Sequence, residues 1–271
     1  MFPADNAWNR DISADPVDPH SSDYLAYMGA GSLKLQPAFG GPYGQPFLVV
    51  PASQPRVEMT FLYVTQSEPG PYPFPPDLPL SSDEDRHATV LVRDDCKIYE
   101  TYNTWASGAG FHADSGAVFD LINGAPRPNG WTSATASGLP ILPALVRYDE
   151  AVEKGEILHA FSFIAGSTAH AYVAPATHSS GTSDATYAPP MGLRARLRAD
   201  FDLSRYSGAS LAVLRALKKY GMFLTDNASG VFWAINGAYD ARWSIEDVDQ
   251  LKTVPASAFE VVQLGTVHSG Q

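Results

Sequence analysis

The residues best suited to chemistry crowd into one stretch, Asp85 to Leu121, DRHATVLVRDDCKIYETYNTWASGAGFHADSGAVFDL. Read at period two, Val90, Val92, Cys96, Ile98, Glu100 and Tyr102 share a strand face that is apolar until Glu100. A carboxyl group there must be paired, hydrogen-bonded or kept neutral, because burying a bare charge is costly. After a soft Gly-rich loop from Trp105 to Ser115, a second strand, AVFDLI, sets Asp120 between Phe119 and Leu121. Two acids in unlike surroundings are what cleavage of a glycosidic bond needs: one keeps its proton and one stays ionised. Glu100 is expected as the proton donor and Asp120 as base or nucleophile. Asp85, Asp114, Asp149 and Glu150 are the reserves. A buried hydrogen-bond network without catalysis uses the same residue types.

Other chemistries draw on neighbouring residues. A polysaccharide lyase would take His87, His112 or His159 with Tyr99 or Tyr102 as base and acid, and Arg86 to neutralise a uronate. Stacking subsites for sugar rings are expected from Tyr102, Trp105, Trp131 and Trp233, with His112 and Asp114 at the groove edge. A carbohydrate-binding module would need only the aromatics. His87, His112, Asp114 and His159 are metal-ligand types, but their spacing is not that of a compact metal motif, so neither metal nor cofactor is expected. No nucleophile elbow, zinc-protease helix, phosphate loop or dinucleotide fingerprint is present.

The elements that must position these groups are strands. The chain has 271 residues, 45% hydrophobic and 17% charged, with Gly and Pro at 22 each. That balance favours short strands and turns around one sizeable core. Residues 1–20 form a polar extended lead anchored by Trp8, and SDYLAYM a short helix. VEMTFLYV alternates as a strand, and the Pro-rich loop over 66–86 reads as a surface segment or, with Tyr72 and Phe74, as a groove wall. ILHAFSFI puts His159 on a face with Phe161 and Phe163, and Arg194, Arg196 and Arg198 form a solvated or acid-neutralising face. FLTDNASGVFWAING is a hairpin candidate. Helices are expected over 207–221 and, with Ser244 and Asp247 as a capping pair, over 244–254. The fold class is mainly β, a sandwich or barrel-like single domain over 1–271 with two or three peripheral helices.

The net charge of −11 and pI near 4.9, without a Lys/Arg cluster, argue against nucleic acid as a partner. No apolar run approaches the ~20 residues of a membrane span. One cysteine leaves no internal disulfide, and Cys96 is expected as a small core residue.

FPADNAWNRDIS, DRHATVLVRDDCKIYE, SGAVFDL, GWTSATASGLPILPALVRYDE and LRALKKYGMFLTDN together resemble a family of secreted bacterial and fungal proteins, often attached to carbohydrate-binding or fibronectin-like modules. The resemblance spans nearly the whole chain and brings no catalytic residues across. It implies an extracellular protein, its signal peptide removed, with a polysaccharide or oligosaccharide as partner. The combined expectation is a monomeric glycoside hydrolase on a β-glucan or cellulose-like polysaccharide.

Overall fold

In the computed structural model, which describes residues 1–230 and 233–270, Asp85–Leu121 begins as a hairpin. Ala88–Val92 and Lys97–Tyr102 run antiparallel, pairing Thr89 with Glu100, Val90 with Tyr99 and Leu91 with Ile98. The turn between them places Cys96 at φ 50°, half-buried and outside the strands, so it is not the core residue expected. The turn also resets the parity. Val90 and Val92 share a face with Tyr99, whereas Ile98, Glu100 and Tyr102 lie on the opposite one. Ser115–Asp120 adds antiparallel, with Glu100 opposite Ala117 and Lys97 opposite Asp120. Cross-strand partners project to one side and successive residues alternate. Asp120 therefore points away from Glu100, and the expected acid pair straddles the sheet. Leu48–Val50, parallel to Ala88–Val92, completes four strands.

Each face of this sheet has its own core. Val50, Val90, Val92 and Tyr99 pack against Met59 and Ala113 of a three-stranded sheet built from Met59–Phe61, Gly110–Ala113 and Trp105–Ser107. The expected soft loop is thus largely strand. The proline-rich segment supplies the filling: Tyr72 and Phe74 are fully buried in this core, with Tyr72 5.1 Å from Tyr99 between ring centroids. Those two rings therefore form neither a plain surface loop nor a groove wall. On the other face, Ile98, Ala117 and Phe119 pack onto Ala134, Ile141, Leu142 and Leu145.

A six-stranded mixed sheet holds the largest core. Its spatial order is Gln36–Ala38, Ala234–Asn236, Phe161–Ala165, Met222–Asn227, Arg194–Leu197 and Phe259–Val261. Met222–Asn227 and Ala234–Asn236 flank Phe161–Ala165 from opposite sides, so they do not pair as the expected hairpin; Val231 and Phe232 lie outside the described residues. The helix Gly208–Lys219 buries Val213, Leu214 and Leu217 in that core. Its first turn donates backbone N–H bonds from Ala209 and Ser210 to Asp247, at 2.7 and 3.1 Å. Ser244 caps the helix Ile245–Asp249 by accepting from the Asp247 N–H, as the capping pattern predicts. Arg194 and Arg196 are buried. Arg194 donates to the Tyr220 carbonyl, while Arg196 pairs with Glu260 and ties down the Ile12 carbonyl of the N-terminal lead. That lead is a docked segment, with Trp8 and Ile12 buried. The result is a mainly β, sandwich-like domain with few helices.

Glu100 is fully buried between the four-stranded sheet and the 134–145 connector. Its two oxygens each accept a backbone N–H, from Ile141 and Leu142, at 2.8 Å. Burial pushes its pKa up to about 7, against the opposing pull of those N–H groups and of Arg127. This is a sealed structural bond. Glu100→Gln sets an amide N–H₂ against one of two N–H donors and is expected to cost on the order of 1–3 kcal/mol. The sign of the pH effect follows from the raised value. Between pH 4.5 and about 7 the folded state holds a proton that the unfolded chain has lost, so this contribution to stability falls as pH rises through that window. Thermal melts across it should show a lower Tm for the variant and a flatter pH slope; an unaltered slope would mean the carboxyl group titrates as in water.

Candidate active site

A cavity of about 550 Å³ opens where elements of both sheets meet. Tyr102 and Ser115, cross-strand partners in the four-stranded sheet, form one wall with Tyr63, Gln66 and Asp85. Thr132–Ala136 forms a second wall, and the loop His178–Thr182 a third. Asp226 and Asn227 enter from the end of the central strand Met222–Asn227.

Asp226 reaches the cavity through a β-bulge. Leu224 pairs with Phe163, but Asp226 pairs with the very next residue, Ile164, leaving Thr225 as the extra residue. In a regular strand Asp226 would follow Leu224 into the core. The bulge reverses the parity and turns Asp226 from the core to the cavity wall, a common use of bulges beside active sites. Oδ2 accepts from the Ala136 N–H at 3.3 Å, and Oδ1 from the Asn227 N–H at 2.8 Å. The carboxyl group is enclosed by protein although the residue as a whole is only half-buried. Burial raises its pKa to about 6. The two N–H groups pull downward, and the negative charge of Asp85 pushes upward. Asp85 itself is exposed at the cavity mouth.

The Thr132–Ser137 wall is held by its own hydroxyls. Ser133 Oγ donates to the Leu139 carbonyl at 2.7 Å, Thr135 and Ser137 share a bond of 2.9 Å, and Ser115 Oγ donates to the Ser133 carbonyl at 2.6 Å. Gln66 fixes the wall from outside by accepting the Thr132 N–H at 3.0 Å. The lining is therefore a preformed surface rich in hydroxyl and amide groups.

Two further groups have defined proton positions. His178 Nδ1 lies 2.7 Å from the Ala136 carbonyl, which can only accept, so Nδ1 carries the hydrogen and Nε2 is the basic nitrogen. The Tyr102 hydroxyl holds its proton above the usual range, first by burial and then by the charges of Asp85, Asp114 and Asp226. Three carboxyl groups thus bear on one phenol.

Of the residues singled out from sequence, Asp85 and Tyr102 line the cavity. His87 lies just behind its wall, its Nε2 2.9 Å from the Ala134 carbonyl and its ring 5.8 Å from that of Tyr102. The others are elsewhere. Glu100 is sealed, and Asp120 caps the turn that follows its strand, accepting from the Ile122 N–H at 2.8 Å. His159 is buried with Glu150 and Arg147, at 3.1 and 3.2 Å. Burial pushes Glu150 upward, but His159 and Arg147 outweigh it and hold the carboxyl group at about 2. Asp149 pairs with Lys154 on the surface. His112 bonds Thr60, and Asp114 accepts from Asn103. Trp105 is exposed but lies outside the cavity lining, covered by the Arg86 guanidinium 3.8 Å from its ring. Trp131 stacks near Arg127, and Trp233 is a core residue whose indole N–H bonds the Met28 carbonyl.

Sequence reasoning missed Asp226, Asn227, Gln66 and Tyr63, and gave His178 no role. One signal was available: in MFLTDN an acid ends a strand of buried apolar residues. A second cavity of about 330 Å³, beneath Phe2 and Trp8, has no carboxyl group in its lining. No protein-family model, curated protein or solved structure matches this chain.

The Asp85–Asp226 coupling is measurable by carboxyl ¹³C NMR. Asp226 should titrate near pH 6. Burial is the main cause of the raised value, and Asp85→Asn, which removes the smaller upward push of its charge, should move the midpoint down slightly. A midpoint in the ordinary aspartate range in the unmutated protein would show a solvated group.

Proposed function

We propose that this chain is an extracellular glycoside hydrolase that cleaves a neutral polysaccharide, of β-glucan or cellulose-like type, in the Asp85–Asp226 cavity. The observation that carries the reading is Asp226. It is a carboxyl group holding its proton to about pH 6 in a hydroxyl-lined cavity, with the exposed carboxylate of Asp85 close enough to raise its pKa. Unlike surroundings for two acids are how such enzymes divide the roles. Asp226 donates a proton to the departing glycosidic oxygen. Asp85 acts at the anomeric carbon, directly or through a water molecule. Gln66, Asn227 and the Thr132–Thr135 wall offer hydrogen bonds to sugar hydroxyls, and Tyr63 and Tyr102 offer ring faces. The Asp120 and Glu100 roles expected from sequence pass to Asp85 and Asp226.

A lyase is the second reading, with His178 Nε2 as base and the Tyr102 hydroxyl as acid. The tautomer of His178 favours it. The acidic cavity opposes it, because a uronate would meet Asp85 and Asp226. Ultraviolet absorbance from a new double bond separates elimination from hydrolysis.

On a panel of neutral glycans, Asp226→Asn and Asp85→Asn should each lower turnover by at least about a hundredfold, the lower end of general acid–base catalysis. The loss in Asp226→Asn should shrink on aryl glycosides, whose leaving group needs no proton. Glu100→Gln and Asp120→Asn should keep near-normal turnover per folded molecule. Near-normal turnover in Asp226→Asn, or no hydrolysis of any glycan, would refute the proposal.

A further inference from the structure

We infer that Asp83, Asp85 and His87 form a divalent-cation site at the mouth of this cavity, of the Zn²⁺ or Mn²⁺ class. The three side chains present two carboxylate oxygens and a ring nitrogen within 4.8 Å of one another. Exposed acids cluster in many proteins without binding anything, so the histidine decides the matter. His87 is 8% exposed. Its Nε2 faces the Ala134 carbonyl at 2.9 Å and must carry the hydrogen. Nδ1 is left with a bare lone pair, buried and without a hydrogen-bond partner among the described residues. An orphaned buried acceptor is costly and rare. Histidines that bind metals commonly donate their other N–H to a backbone carbonyl or carboxylate, which fixes tautomer and ring orientation. His87 is held in that state.

The surrounding loop supports the same geometry. Ser81 Oγ accepts the His87 backbone N–H at 2.8 Å and donates to Asp83 Oδ1 at 2.5 Å, tying one ligand to the other. Arg86, between Asp85 and His87, adopts φ 45°, a left-handed conformation uncommon for a non-glycine residue, and its guanidinium lies over Trp105. One imidazole and two carboxylates suit Zn²⁺ or Mn²⁺ better than Ca²⁺ or Mg²⁺, which prefer all-oxygen shells. Three protein ligands leave coordination positions open to water or substrate, as catalytic sites do.

The site's role rests on the hydrolytic reading, but its existence does not: with a cation bound, Asp85 would act on water through the metal. The test uses the full chain, stripped with EDTA and exchanged into chelator-free buffer. Titration calorimetry and thermal melts with Zn²⁺ and with Mn²⁺ should show one saturable equivalent and a raised Tm, since binding to the folded state alone stabilises it. Asp83 is exposed, so Asp83→Asn should fold normally and weaken binding at least about tenfold. His87→Gln should abolish binding, and Asp226→Asn should retain it. Absence of binding by both metals overturns the site, as does undiminished binding by Asp83→Asn. If the metal-loaded protein cleaves no glycan, the site stands and the hydrolase reading falls. If the stripped protein binds no cation yet cleaves glycans, the reverse holds.

Discussion

Two buried carboxyl groups grip the same stretch of chain, and the cavity exists because they do. The connector Ser133–Leu142 runs between the four-stranded and six-stranded sheets. Glu100 holds its far end through the Ile141 and Leu142 N–H groups, and Asp226 holds its middle through Ala136. Ser115 takes its start, and the Thr177 and His178 N–H groups bond the Ser137 carbonyl. A segment with prolines and small polar residues cannot satisfy its backbone by forming a helix or a ladder. Buried backbone groups must find partners, and here the two carboxylic acids provide several of them. The seam between the sheets is therefore polar and fixed, and at its Asp226 end it opens to solvent.

Much of the fold was legible in the sequence, because its strands and helices follow local rules. Periodicity marked the helix Gly208–Lys219, and Ser244 with Asp247 marked the next one. Gly, Pro and aromatic content pointed to a mainly β domain. The errors share a cause, which is parity. A period-two pattern holds only while the strand is uninterrupted. The turn at Cys96 converts one apparent strand into two with opposite faces, and the extra residue Thr225 turns Asp226 out of the core. Neither a turn register nor a bulge is encoded in hydrophobic alternation, since the first is settled by the geometry of the hairpin turn and the second by pairing with a distant strand. Asp85 and Tyr102 were found because they lie where the first hairpin meets the cavity. Asp226 was missed because it comes from another sheet, more than a hundred residues later.

The proline-rich segment shows the same limit from the other side. Proline excluded helix and central strand there, correctly. It does not decide whether an irregular segment lies on the surface. Tyr72 and Phe74 are large enough to fill the gap between two small sheets, and their burial outweighs the cost of an irregular backbone whose groups can still pair, as Tyr72 does with Val57 in both directions.

Perturbed proton affinity alone does not single out the candidate site in this protein. Glu100 and Asp226 are both raised by burial, and Glu150 is strongly lowered. What separates them is access to the cavity. Glu100 has an N–H on each oxygen and no exposed surface, and Glu150 is occupied by Arg147 and His159. A proton on either has no substrate to reach. Asp226 accepts two N–H bonds at the wall of an open cavity. His87 makes the complementary point. It is nearly as buried as Glu100, yet one of its nitrogens has no partner among the described residues and stands beside two exposed carboxylates. Sealed groups hold this fold together; the groups left incomplete at the seam between its sheets are the ones available for chemistry.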